Sequence, residues 1–167
     1  MAASPVAVRP AREADAAVIV GLIRRLAAFE EPGASVALTE ETVRTDCFGP
    51  APRFSVLLAE ADGAVLGGAV LLDVYSSWAG KPAMIVHDLF VEDDARGHGV
   101  GRALLSAAAR RAARRGCCRL DVNVVSWNRR ARDFYESQGF REVAGWRPYR
   151  LDAEGLQRLA REETTPD

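Results

Sequence analysis

The sequence predicts an α/β (α+β) fold in which a mixed β-sheet is flanked by helices. Three observations carry this. The chain alternates short β-branched runs with amphipathic stretches, in the order strand, two helices, three strands, helix, strand, helix, two strands. An apolar run from Met84 to Val91 feeds a glycine loop, Arg96-Gly97-His98-Gly99-Val100-Gly101, and then a helix. A further strand follows that helix, so it should lie parallel to the one before the loop through a right-handed crossover.

In order, Val6 to Arg9 is the first strand and Pro10 ends it. Asp15 lies near the start of a helix whose apolar face is Ile19, Leu22, Ile23, Leu26 and Phe29; Glu30-Glu31-Pro32-Gly33 stops it. Thr39 is an N-cap, with Glu40 and Glu41 in the first turn, of a helix to Phe48. Arg53 to Glu60 and Val65 to Tyr75 form a hairpin over an Asp62-Gly63 turn, and Gly67-Gly68 marks a bulge or a close backbone contact. Ser76 to Pro82 is a loop carrying Trp78. After the loop helix, ended by Gly116, come a strand from Arg119 to Val125 and a helix from about Arg130 to Gln138, ended by Gly139. Strands are expected from Phe140 and over Trp146 to Leu151, then a short helix at Ala153 to Arg161 and a disordered tail, residues 162–167.

The totals narrow the function. The 167 residues suit one domain, 1–167, and 49% hydrophobic with 27% charged residues is an ordinary globular composition. A formal net charge of -1 argues against nucleic acid as main partner. No apolar run is long enough for a membrane span, and the N-terminus lacks the pattern of a secretory signal. Cys47, Cys117 and Cys118 have no metal spacing, which fits reduced thiols in a cytoplasm and no bound metal.

The glycine loop carries the chemistry. A helix start presents free N–H groups and a positive dipole end, and glycines let a ligand come close, so the stretch is a candidate pyrophosphate cradle with Arg96 and Arg102 adding charge. The plainer reading is a tightly packed strand-to-helix turn. A dinucleotide fingerprint fails because Arg102 stands at its third glycine, and a P-loop fails because the only lysine is Lys81.

The pattern Arg-Gly-x-Gly-x-Gly resembles the acetyl-CoA loop of the GNAT superfamily of N-acetyltransferases, and the element order is that of the GNAT fold. The diamine (spermidine/spermine-type) branch is the nearest in resemblance. It is carried by Val8-Arg9-Pro10-Ala11, Phe29-Glu30, Leu38-Thr39-Glu40, Phe48-Gly49, Tyr75 to Lys81, Asp88-Leu89-Phe90-Val91, Trp127-Asn128, Phe134-Tyr135 and Gly145-Trp146-Arg147. The resemblance implies acetyl-CoA as cosubstrate, bound at the splay between the two parallel central strands. Leu89, Phe90, Val91, Arg96, Gly97, His98, Gly99, Val100, Gly101, Arg102, Asn128 and Tyr135 would bind it. Glu30, Trp78, His87 and Asp88 would line the site of a small-molecule amine. A homodimer follows from family habit.

Transfer to an amine needs a neutral nucleophile. An alkyl ammonium of pKa ~10.4 is neutral in roughly one molecule in two thousand at pH 7, so deprotonation costs about 4–5 kcal/mol. Tyr135 is the candidate acid for the departing thiolate, or else a packed ring with a satisfied hydroxyl. His87 is the candidate base, or else a buried, satisfied imidazole; the diamine branch has a carboxylate there. Strand alternation puts His87 and Asp88 on opposite faces. Asn128 reads as a helix cap or as a pantetheine ligand, and Glu30 as an amine ligand or a surface carboxylate. With no cysteine at a motif position, direct attack in a ternary complex is expected over an acetyl-enzyme. Other readings are an amino acid or aminoglycoside-type amine as acceptor, or a non-catalytic acyl-CoA sensor.

Overall fold

A computed structural model describes residues 5–161 of the chain; the tail expected at 162–167 lies outside them. The chain divides into two compact units at the Ala131–Arg132 boundary.

The first unit is a five-stranded sheet with strand order β1-β2-β3-β4-β5. The strands are β1 (Ala7–Pro10), β2 (Ser55–Ala61), β3 (Ala64–Ser76), β4 (Lys81–Val91) and β5 (Leu120–Val122). The first three junctions are antiparallel and β4–β5 is parallel, as the helical crossover between them requires. The β2–β3 turn places Asp62 at φ 53° and Gly63 at φ 77°, the double left-handed turn that matches strand twist.

Helices α1 (Ala16–Glu30) and α2 (Glu40–Phe48) cover one face of the sheet. They bury Ile19, Val20, Leu22, Leu26 and Val43 against Val56, Leu58 and Phe90. Thr39 caps α2, its hydroxyl oxygen accepting the N–H of Thr42 at 3.1 Å. Helix α3 (Val100–Arg114) lies against β2, β3 and β4 and buries Val100, Leu104, Leu105, Ala108 and Ala112. Its end has Gly116 at φ 69°, with the N–H of Cys117 reaching Ala112 and that of Gly116 reaching Ala113. Arg9 ties β1 to its surroundings through Asp15 at 2.7 Å and Glu60 at 2.9 Å. That guanidinium holds the Asp15 carboxyl below the usual carboxylate range.

Helix α4 (Arg129–Ser137) crosses the boundary, and α5 (Ala153–Leu159) belongs to the second unit. Three expectations are corrected here. Pro10 lies within β1, which suits an edge strand. The strand expected over Arg119 to Val125 shrinks to three residues, because only these stay in register with Met84–Val86. The strands expected from Phe140 and over Trp146 to Leu151 do not form among the described residues. Gly145 at φ 88° turns that stretch, and Val143, Trp146 and Tyr149 are exposed with no ladder to stabilise an extended run.

Candidate active site

The site is set by one irregularity in β4. Against β3, Val86 pairs with Leu71 and Asp88 with Val70, so His87 is an extra residue, a β-bulge. Backbone polarity records it. The Met84 N–H donates towards β5, to the Arg119 carbonyl at 3.2 Å, whereas the Glu92 N–H donates towards β3, to Leu66 at 2.9 Å. In a regular strand an even spacing keeps both on one side; the inserted residue reverses the parity. By the same alternation the N–H groups of Leu89 and Val91 turn to the β5 side, where pairing has already ended at Val86. A gap therefore opens beside the second half of β4, floored by backbone donors.

The bulge also overturns the expectation that His87 and Asp88 face opposite ways. Asp88 and Phe90 lie under α1 with Ile19, Leu22 and Ile23. The His87 ring comes beside Asp88, with Nδ1 3.0 Å from Oδ2. That hydrogen bond is the main cause that pushes the imidazole above its ordinary pKa; burial opposes it, and the charges of Asp88 and Glu30 reinforce it. Glu30, at the end of α1, is itself raised by burial first and by the Asp88 charge second, with His87 pulling the other way. Glu30, His87 and Asp88 thus form one acidic cluster with an imidazole in it, and 55% of the His87 side chain remains open to solvent.

The cradle follows β4 directly. Gly97 and Gly99 sit at φ 84° and 82°, where a Cβ would be strained. Among the described residues, no protein acceptor takes the N–H of Gly97, His98, Gly99, Val100, Gly101 or Arg102. Six adjacent donors at a helix start suit an anion by geometry and dipole together. Val100, the first residue of α3, is buried, while His98 and Arg102 are exposed. Arg96 shapes the loop from inside. Its Nε donates to the Val91 carbonyl at 3.1 Å, its Nη2 meets Asp93 at 2.7 Å, and its guanidinium lies 5.5 Å from the Phe29 ring and 6.0 Å from that of Phe90.

Sequence reasoning missed two parts of this wall. Phe29 is 44% exposed at the end of α1 and meets the Trp127 ring at 5.6 Å, so it borders the cleft rather than only filling the core. Its position beside Glu30 was the available signal. Arg25 pairs with Glu92 at 2.7 Å and fastens α1 to the exit of β4, a contact 67 residues long in sequence that no local pattern announces.

The remaining candidates sit on other elements. Asn128 is the cap of α4, its Oδ1 accepting the Ala131 N–H at 3.0 Å. Trp78 stands 91% exposed in the turn before Lys81. Roughly 20 Å of strand separates that end of β4 from His87. Tyr135 belongs to the second unit, half-buried, with ring neighbours Phe134 at 5.4 Å and Phe140 at 5.7 Å.

The two parallel strands thus part beside a glycine cradle. Residues 22–140 match the Acetyltransferase (GNAT) family, and the chain belongs to it. The protein is an acetyl-CoA-dependent N-acetyltransferase acting on amines. Thialysine N-epsilon-acetyltransferase of Bos taurus is 34% identical over 166 residues, spanning 93% of this chain and 97% of that protein. Spermidine/spermine N(1)-acetyltransferase-like protein 1 of Homo sapiens is 30% identical over 93% of this chain and 24% of its own length. Among solved structures, an integron cassette protein from the mobile metagenome of V. cholerae superposes with a TM-score of 0.80 at 26% identity, covering 94% of this chain and 98% of that one. No described helix is long and apolar enough to cross a membrane.

Proposed function

We propose that the enzyme acetylates a primary amine of a small diamine- or polyamine-like molecule by direct attack in a ternary complex, and that both units, residues 1–167, act as one catalytic domain. The observation that carries the choice of acceptor is the cluster of Glu30 and Asp88 around His87, two carboxylates where an ammonium is to be received. The names of the thialysine and spermidine/spermine relatives support the same class.

In this reading the six N–H groups from Gly97 to Arg102 take the pyrophosphate of acetyl-CoA, with Arg102 adding charge. The N–H groups of Leu89 and Val91 face the thioester carbonyl and stabilise its developing negative charge. Asn128 keeps its amide N–H₂ for the pantetheine arm while its oxygen caps α4. His87 takes the amine's proton and Tyr135 protonates the departing thiolate. The unpaired cysteines Cys47, Cys117 and Cys118 accord with a cytoplasmic location, and a homodimer follows from the family resemblance.

The test is release of free thiol from acetyl-CoA with a panel of thialysine, ornithine, a diaminoalkane, spermidine, spermine, an aminoglycoside and a monoamine. Turnover with the diamines and polyamines above the monoamine is expected, with intersecting initial-velocity lines. Parallel lines would show an acetyl-enzyme. Tight acetyl-CoA binding without thiol release from any amine would establish a sensing module instead.

Arg96→Ala should weaken acetyl-CoA binding by about 1.5–3 kcal/mol, the range for hydrogen bonds to a charged group. Its donors hold Val91 and Asp93, so the loss acts through the shape of the cradle. An unchanged dissociation constant by calorimetry would place the anion site elsewhere.

A further inference from the structure

We infer that Asp88 is a positioning residue for His87: across the bulge it accepts the Nδ1 proton of the imidazole and thereby leaves Nε2 as the atom that takes the amine's proton. The inference rests on the acetyltransferase reading above and assigns the two halves of the pair.

The argument begins with the backbone. Neighbouring residues in a regular strand point to opposite faces, and a histidine and an aspartate in sequence would not meet. The extra residue at position 87 turns the His87 ring beside Asp88, and Nδ1 reaches Oδ2 at 3.0 Å. A carboxylate only accepts hydrogen bonds, so Nδ1 carries the proton in the neutral ring and the lone pair sits on Nε2. The His87 side chain is 55% exposed and that of Asp88 26%, so the carboxylate is the more enclosed of the pair and the imidazole the more accessible. Glu30 from α1 is the other charged group acting on the ring. Both carboxylates favour the imidazolium, so the proton taken from the amine is held after transfer.

The steps balance. The ammonium gives one proton to Nε2, forming imidazolium and a neutral amine. That amine forms the C–N bond as the C–S bond breaks. The second proton on nitrogen neutralises the thiolate by way of Tyr135, and the imidazolium returns its proton to solvent.

Two measurements test this. The chain has two histidines, His87 and His98, so ¹⁵N spectra of the labelled protein hold two imidazoles, assigned with His98→Gln. Above its pKa, wild-type His87 should be protonated on Nδ1, and Asp88→Asn should give a mixed tautomer. A wild-type ring protonated on Nε2 overturns the inference, whatever the variants do. The second measurement is the pH–rate profile. Asp88 raises the His87 pKa, so Asp88→Asn should move the rising limb of kcat/KM to lower pH. It should also lower the plateau about tenfold or more, part of the roughly 10²–10⁴ that a positioned base supplies. In a His87→Gln background, Asp88→Asn should cost much less in kcat than it does beside His87. A limb that stays in place, or an undiminished loss in that background, would show that Asp88 acts on the amine alone and not through His87. Failure of the acetyltransferase reading looks different: wild-type protein releases no thiol with any amine, while the tautomer remains readable.

Discussion

Tyr135→Phe lowers the turnover number ~100-fold or more and leaves acetyl-CoA affinity almost unchanged. This is the result expected if the phenol protonates the leaving thiolate, because the missing interaction exists only as the C–S bond breaks. The substitution removes one oxygen. The ring contacts with Phe134 and Phe140 are kept, and so is the end of α4, where the N–H of Phe140 reaches Tyr135 and that of Gly139 reaches Glu136. Steady-state kinetics with thermal melting of the variant separates chemistry from folding. Wild-type turnover in a folded variant would leave Tyr135 as a packing residue and give the proton to water.

Gly67→Val destabilises the fold by about 3 kcal/mol, the upper part of the range for overpacking. A Cβ on Gly67 would stand 2.5 Å from the Phe90 carbonyl oxygen and 3.2 Å from the Val91 Cα. Both are backbone atoms of the neighbouring strand, so no side chain can swing aside. Urea unfolding should show a lower midpoint at an unchanged m-value. Since Gly67 pairs with Val91, the strain falls where β4 hands over to the cradle. A midpoint equal to wild type would mean that the two strands have room that the register denies them. Gly97 has no atom within 4 Å of a built Cβ. Its alanine should cost only the ~1–2 kcal/mol of a left-handed residue.

These two positions also show what a reader of the sequence can see. Gly67-Gly68 announced close backbone contact, and it is there on both sides: Gly67 against Phe90, Gly68 against the Leu22 side chain and the Leu57 carbonyl. A second irregularity, between Ala59 and Glu60, falls opposite. The apolar stripe of α1, the Asp62-Gly63 turn, the Thr39 cap and the glycine loop were equally legible, because each is written in residues a few positions apart. His87 was not. A bulge is defined by its count against a partner strand, and nothing within β4 states that Val70 will face Asp88 and Leu71 Val86. Alternation was the reasonable local rule, and it placed His87 and Asp88 on separate faces. The same limit explains Phe140 to Leu151. Valine, tryptophan and tyrosine favour strands when a ladder is beside them, and among the described residues this stretch has none.

The bulge makes the length of β4 matter more than its lettering at position 87. Exchanging His87 for another side chain leaves the count intact: Phe90 still enters the core and the Leu89 and Val91 amides still face the gap. Removing the residue acts as a frameshift acts on a message. Every group downstream changes sides, with Phe90 sent out of the core and the two amides swung towards β3. A scan of the strand should therefore find position 87 tolerant of substitution for folding and intolerant of deletion.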